Sequence, residues 1–309
     1  MEEKKSNSGI VLNQRNFYHK ILMTCILKQL SDTPLVLKGG TALYLGYGLT
    51  RFSEDLDFDS SKRLNLLNKI KEAFPLGIRL LNINIKKDTE TVTRYLIDYS
   101  VDAIKLTDKL KIEISYRTPI QEDLVCVKDG IRYAPIEQLI DYKLKAAFDG
   151  DNTRSKCRDL YDLHFLAKNY SESFNVDTAK RLYEFSKDPD VLVSRYDIDV
   201  KDDQLLRDIM DTESISLELS DLSRAIYLKQ EEKQENQSLN NQEQSLSLKR
   251  REYMNERIQK ADASKEIDEE TQEQASALSP RMKMMQRNQE RNNARNNVIS
   301  TSQKKGRSR

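Results

Sequence analysis

The sequence predicts an α/β (α+β) protein: a small mixed sheet flanked by helices, followed by a helical subdomain and a polar C-terminal tail that is disordered or partly helical. Three observations carry this. Between residues 12 and 227 the apolar period runs from helical to alternating and back to helical. An Asp129-Gly130 pair between two short apolar runs marks a hairpin. From Lys229 onward the chain is dominated by Gln, Asn, Glu and Lys and lacks the residues that build a core. The expected divisions are residues 1–134, 135–228 and 229–309.

Taken in order, Phe17, Ile21, Leu22, Cys25, Ile26 and Leu30 follow helical spacing, so residues 12–30 form an amphipathic helix. "PLVLKGG" reads as a short strand, and residues 41–48 as a short helix after the two glycines. A strand at "DLDF" and a helix over 62–73 follow, then three segments of period two: "IRLLNINIK", "TRYLIDYSV" and "LKIEISYR". "DLVCVKDGIRYAP" is the hairpin, with Pro135 suited to the first turn of the next helix. From there to Tyr227 the spacing is helical. In the tail, Leu239, Leu246 and Tyr253 recur every seven residues, which is too little to establish a coiled coil.

At 309 residues, 38% hydrophobic and 33% charged, the chain can hold one large or two small packed domains. No run of eighteen apolar residues occurs and the first ten residues are polar, so the expected location is the cytoplasm, with no membrane partner. Cys25, Cys126 and Cys157 are widely spaced inside apolar patterns and read as buried thiols, with no zinc site expected. His19 and His164 are the only histidines, and His164 reads as a core residue. Any reaction must therefore rest on carboxylates, lysines or metals. The near-neutral total charge hides a basic end. From Ser279 to Arg309, nine Lys and Arg stand against Glu290 alone, a net +8. This is either a solvated extension or an arm for nucleic acid, since phosphate attraction needs only positive charge density.

The chemistry concentrates in "LVLKGGTALYLGYGLTRFSEDLDFDSS", residues 35–61. In a strand, Asp55 and Asp57 share one face while Leu56 and Phe58 point to the core. Two adjacent carboxylates repel unless they are solvated or a cation sits between them, and hard carboxylate oxygens favour Mg²⁺ or Mn²⁺. In "KIEIS", Glu113 projects from its strand opposite to Ile112 and Ile114, and would complete a three-carboxylate set if the two strands are neighbours. Gly39 and Gly40 precede a helix whose N-terminal amides can hold phosphate. Gly-Gly alone is more often a plain turn, and Asp-x-Asp a solvated strand end. Together they compose the equipment for phosphoryl or nucleotidyl transfer.

Four segments, in order, carry a family resemblance: "KGGTALYLGYGLTRFSEDLDF", "KIEI" at 111–114, "IEQLIDYKLKAA" at 136–147 and "RDLYDLHFLAK" at 158–168. Over residues 15–170 the chain resembles the AbiEii-type nucleotidyl transferase toxins of the DNA polymerase β-like nucleotidyltransferase superfamily, with no resemblance in the tail. The resemblance implies the nucleotidyltransferase fold and a metal-dependent toxin of a toxin–antitoxin or phage-defence pair. Such a toxin transfers nucleotides from an NTP, in characterised members to tRNA ends. It also implies a cognate antitoxin protein as partner.

Within "IEQLIDYKLKAA", Lys143 falls inside the stripe of Ile136, Leu139, Ile140, Leu144 and Ala147. It must snorkel out or meet an anion such as the triphosphate. Lys145 lies on the polar face and reads as solvated. Arg158, Asp159 and Asp162 share one helix side. Read alone, they are an exposed face with an Arg158–Asp162 pair; the resemblance turns Asp159 and Asp162 toward the cleft, orienting the lysine, the nucleotide or the acceptor. Arg51 and Ser53 match the family's Arg-x-Ser-x-Asp pattern, as phosphate contacts or as loop structure. Tyr44, Tyr47 and Tyr116 read as packing. The implied mechanism places Mg²⁺ on Asp55 and Asp57, the β- and γ-phosphates on Gly39-Gly40-Thr41, Glu113 at the acceptor hydroxyl, and Lys143 against the departing pyrophosphate. Two alternatives stay open: a transferase acting on a protein or small molecule, or a catalytically silent fold that binds nucleic acid.

Overall fold

The structure, a computed structural model, describes residues 13–149, 154–276 and 280–304. It has two compact units that divide after Gln234.

In the first unit, α1 (Gln14–Gln29) starts at Asn13, whose side chain accepts from the Asn16 amide, and buries Leu22, Met23 and Ile26. β1 (Val36–Lys38) leads straight into α2 (Gly39–Gly46). That helix starts two residues earlier than the sequence suggested, so both glycines lie in its first turn. β2 (Leu56–Asp59) and α3 (Leu67–Glu72) follow, then β3 (Arg79–Asp88), β4 (Val92–Val101) and β5 (Leu106–Ser115). The hairpin β6 (Cys126–Lys128) and β7 (Ile131–Tyr133) turns at Asp129 and Gly130, with φ of 52° and 77°. Both are left-handed, as the expected two-residue turn requires. Pro135 is the cap of α4 (Ile136–Leu144), one residue before its first turn.

The seven strands form one sheet in the order β3-β4-β5-β2-β1-β7-β6. β2 runs antiparallel to β1 and parallel to β5. Leu37, Leu56, Phe58, Tyr95, Ile112 and Ile114 are buried on one face, against which α1 packs at β5, with α3 beside α1. The opposite face carries Lys38, Asp57, Arg94 and Glu113.

After α4 the chain makes one π-turn, Lys145–Asp149. The carbonyls of Ala146 and Ala147 in this last turn accept from the Arg154 amide at 2.9 Å and from Arg195 Nη2 at 2.8 Å. α5 (Cys157–Asn169), α6 (Val176–Ser186), α7 (Pro189–Asp202) and the start of α8 (Thr212–Ser276) complete the helical part. Cys157 is buried as expected, but Cys25 is half-buried and Cys126 is exposed. Cys126 lies on β6, which pairs only with β7 at the sheet edge and has every residue exposed.

The second unit holds the rest of α8 and α9 (Pro280–Lys304). The polar composition has produced helix here, with Leu239, Leu246 and Tyr253 all exposed. Among the described residues, no helix is long and apolar enough to cross a membrane.

Candidate active site

Register brings the separate carboxylates together. Lys38 pairs with Asp57 across β1 and β2, Asp57 with Glu113 across β2 and β5, and Glu113 with Arg94 across β5 and β4. Four charged side chains therefore stand in one row on one face of the sheet. Asp55, just before β2, is bound by Lys111 Nζ at 2.7 Å, and the same ammonium lies 3.9 Å from Asp57. Arg94 holds Glu113 through Oε2, with Nε at 2.7 Å and Nη2 at 2.6 Å. Two residues further along β2, buried Asp59 takes Lys38 Nζ at 2.5 Å and the Tyr142 hydroxyl at 2.7 Å.

Burial raises the Asp57 carboxyl above its ordinary range. Lys111 and Lys38 oppose this, while the charges of Asp55 and Glu113 reinforce it. Asp57 is therefore short of positive charge. Lys111 answers in kind, its ammonium held above the usual value by Asp57 and Asp55 despite burial.

The phosphate-binding candidates adjoin this row. Gly39 has φ of 73°, and a Cβ placed there would meet Asp57 Oδ2 at 3.2 Å. A Cβ on Gly40 would meet Arg51 Nη2 at 2.8 Å and Ser53 Oγ at 2.9 Å. Glycine is favoured at the first place by its positive φ and at the second by space, since Arg51 and Ser53 would have to move to admit a Cβ. Thr41 is buried, with its hydroxyl bonded to the Ser53 hydroxyl at 2.8 Å and to the Asp55 carbonyl.

The α2–β2 loop is fixed at each residue. Thr50 meets the Tyr161 hydroxyl, Phe52 is buried edge-on to Tyr44 and His19, and Glu54 pairs with Arg15. His19, for which the sequence showed no partner, is fully buried. Its Nε2 donates to the Glu54 carbonyl at 2.8 Å, and its Nδ1 lies 2.8 Å from the Tyr99 hydroxyl. Arg51 is buried and binds Asp162 with two parallel bonds of 2.7 Å.

That pair begins a chain of alternating charge. Lys143 Nζ reaches Asp162 at 2.5 Å and Asp159 at 2.9 Å, and Arg154 holds Asp159 at 2.8 Å. Lys143 thus neither snorkels nor stands unpaired. Burial works against its charge, but Asp162 and Asp159 outweigh that and hold the ammonium above its usual value. Burial also opposes ionisation of Asp159, yet Lys143 and Arg154 prevail and bring it to about 2. The exposed Arg158–Asp162 pair does not form. Both aspartates of α5 are buried, and Arg158 instead binds Asp203 at 2.6 Å. Lys145 lies at the surface on Asp141 at 2.6 Å, and His164 and Lys168 share Glu218. Sequence reasoning passed over Arg94, Lys111 and Arg154. The first two could have been found from strand alternation, because they lie on the charged face, but Arg154 sits in a loop with no periodicity.

Among the described residues, no group of three or more His, Cys, Asp or Glu side chains stands close enough to hold a metal. Lys111 and Arg94 draw Asp55 and Glu113 to themselves. In chemistry, the donor set of Asp55, Asp57 and Glu113 fits a hard divalent ion, since all donors are carboxylate oxygens around a group already starved of positive charge.

The family model described as "Nucleotidyl transferase AbiEii toxin, Type IV TA system" matches residues 20–288, extending past the motif region into the polar tail. The chain is 56% identical to a candidate nucleotidyltransferase from H. pylori of known crystal structure, covering 72% of this chain and 98% of that one with a TM-score of 0.70. It is 54% identical to JHP933 from Helicobacter pylori, covering 75% of this chain and 99% of that one with a TM-score of 0.72. A comparison with curated proteins finds no match.

Proposed function

We propose, from the premise that this chain belongs to the AbiEii nucleotidyl transferase toxin family of type IV toxin–antitoxin systems, that it transfers a nucleoside monophosphate from an NTP to the hydroxyl of an RNA end, tRNA being the expected acceptor. The observation that supports this most is the contact between two motifs: the Gly39 position lies against Asp57, and Asp57 stands in register with Glu113. A phosphate cradle, an acidic pair and a third carboxylate thereby share one face.

In this reading residues 1–134 form the catalytic part and residues 135–228 complete the nucleotide site. The first-turn amides of Gly39, Gly40 and Thr41 hold the β- and γ-phosphates, and Ser53 and Arg51 fix that turn from beneath. Asp55, Asp57 and Glu113 would hold Mg²⁺ or Mn²⁺, which supplies Lewis-acid stabilisation of the triphosphate and of the attacking oxygen. Glu113, steadied on one oxygen by Arg94, positions the acceptor hydroxyl and takes its proton. The acceptor oxygen then bonds to the α-phosphorus, the α–β bridging bond breaks, and pyrophosphate leaves with that electron pair. Lys143, Asp159, Asp162 and Arg51 form the charged wall beside the leaving group. A cognate antitoxin, a role in phage defence and action in the cytoplasm follow as expectations from the family.

The test is incubation of the purified chain with each α-labelled NTP, Mg²⁺ and total cellular RNA, beside Asp57→Asn. Label in tRNA-sized RNA with the wild type alone is the expected result, and it identifies the NTP. Label in protein would transfer the activity to a protein-modifying class. No label and no nucleotide binding would leave a silent fold.

A further inference from the structure

The charge chain beside the carboxylate row runs Arg51, Asp162, Lys143, Asp159, Arg154, three cations against two anions. Its members differ sharply in what they can still touch. The Arg51 side chain is 3% exposed and both of its outer bonds go to Asp162. Lys143 is 9% exposed, with its ammonium divided between Asp162 and Asp159. Arg154 alone is open, at 59%.

Arg154 is also held in place. Its backbone N–H donates to the Ala146 carbonyl in the π-turn, and its Nε and Nη2 donate to Asp159 Oδ2 and Oδ1 at 2.8 and 3.2 Å. Asp159, one of the most buried acids in the chain, is in turn fixed by Lys143. A guanidinium carries five N–H donors in a planar fork. Two of Arg154's are spent on Asp159, and a flat edge is left at the surface. The chain carries one more positive charge than negative, and that surplus faces out at Arg154. The contacts tie it to the glycine turn, because Arg51, at the other end of the charge chain, has its Nη2 2.8 Å from where a Gly40 Cβ would lie.

We propose that the outward face of Arg154 is a phosphate subsite that takes the terminal phosphates of the bound nucleoside triphosphate, and that Lys143 is a positioning residue holding Asp159, and through it Arg154, in place. This rests on the nucleotidyl-transfer reading above and adds to it the group that contacts the leaving pyrophosphate. A buried lysine saturated by two carboxylates would have to give one up to bind phosphate itself. A surface arginine with unspent donors has no such cost.

The experiment uses the full chain and inorganic tripolyphosphate with Mg²⁺, measured by titration calorimetry, for wild type, Arg154→Ala and Arg154→Lys. KM for the NTP and for acceptor RNA is measured in parallel. Losing charge-assisted bonds to phosphate should weaken tripolyphosphate binding about 10-fold or more in Arg154→Ala. Arg154→Lys should recover part of this, because a point charge remains without the fork. KM for the NTP should rise with it, while KM for RNA stays within about 2-fold and melting within a few degrees, as suits a side chain more than half exposed. Wild-type tripolyphosphate affinity in Arg154→Ala would overturn the subsite while leaving nucleotidyl transfer standing. A rise in KM for RNA alone would assign Arg154 to the acceptor and overturn it equally. A wild type that binds neither tripolyphosphate nor any NTP would remove the transfer reading, and the subsite with it.

Discussion

At the scale of single residues, the site is a set of charges that the fold keeps at a cost. Asp57 is the clearest instance. Burial and two neighbouring carboxylates raise its pKa, so the folded protein binds its proton more tightly than the unfolded chain does. The sign follows from this. Ionised Asp57 contributes no penalty below the ordinary carboxylate pKa, and the penalty grows as pH rises through the raised value. In chelator at pH 7, Asp57→Asn should therefore melt higher than wild type. Solvent screening at a side chain one-third exposed keeps the gain to about 1 kcal/mol or less, or about 2–4 °C at most. Scanning calorimetry across pH 3 to 8 checks this: the difference should be full at neutral pH and vanish in acid. Added Mg²⁺ should narrow it by stabilising only the wild type. A variant that is more stable and inactive is the signature of a functional carboxylate. A buried acid already held by a cation, such as Asp162 under Arg51, would destabilise on the same change.

At the scale of elements, the strand-to-helix junction at β1 and α2 decides the site. Lys38 ends the strand in extended conformation, Gly39 turns with positive φ, and the helix begins at once. Three side chains from two other segments press on this first turn: Asp57 from β2, and Arg51 and Ser53 from the loop. The Gly40→Ala methyl would lie 2.8 Å from Arg51 Nη2, so the guanidinium must shift from a bidentate, fully buried pairing. We expect NTP affinity to fall at least about 10-fold, with a stability loss of about 1–3 kcal/mol from disturbing the buried ion pair. Gly39→Ala should lose both as well, through positive φ and the contact with Asp57. Equilibrium dialysis of NTP and urea unfolding measure the two effects. Unchanged NTP affinity in both variants would show that phosphate binds elsewhere.

At the scale of the whole molecule, the first compact unit ends later than composition suggested. The sequence places the boundary at residue 228, where polar residues take over. The structure carries the packed unit to Gln234. Gln230 is buried, and Lys229 and Lys233 both pair with Glu172. A chain ending at Gln234 should keep the melting temperature and the transfer chemistry of the full chain. One ending at residue 228 should melt lower by several degrees, for want of those contacts. If the net +8 end recruits RNA, the Gln234 truncation should raise KM for RNA at low salt, and the difference should shrink steeply as salt increases. Equal salt dependence in both chains would free the tail of that role.

The sequence by itself determined the elements and the residue types of the site. Periodicity found each strand and most helices to within a few residues, because alternation and helical spacing are local properties that burial of one face imposes. Asp-x-Asp and Gly-Gly were legible for the same reason: each is a short stretch whose chemistry depends on its neighbours in the chain. Family resemblance ordered them. Tertiary structure alone decided which charges meet. That Asp57 faces Glu113 depends on β2 lying parallel to β5 across 56 residues, a pairing with no local signal. Arg51 pairs with Asp162, and Lys143 lies between two aspartates rather than at the surface, because a helix 111 residues away from Arg51 packs over the loop. A side chain's charge can be read from its letter. Its partner is fixed by proximity in three dimensions, and in a buried site the partner determines which cation remains to meet a substrate.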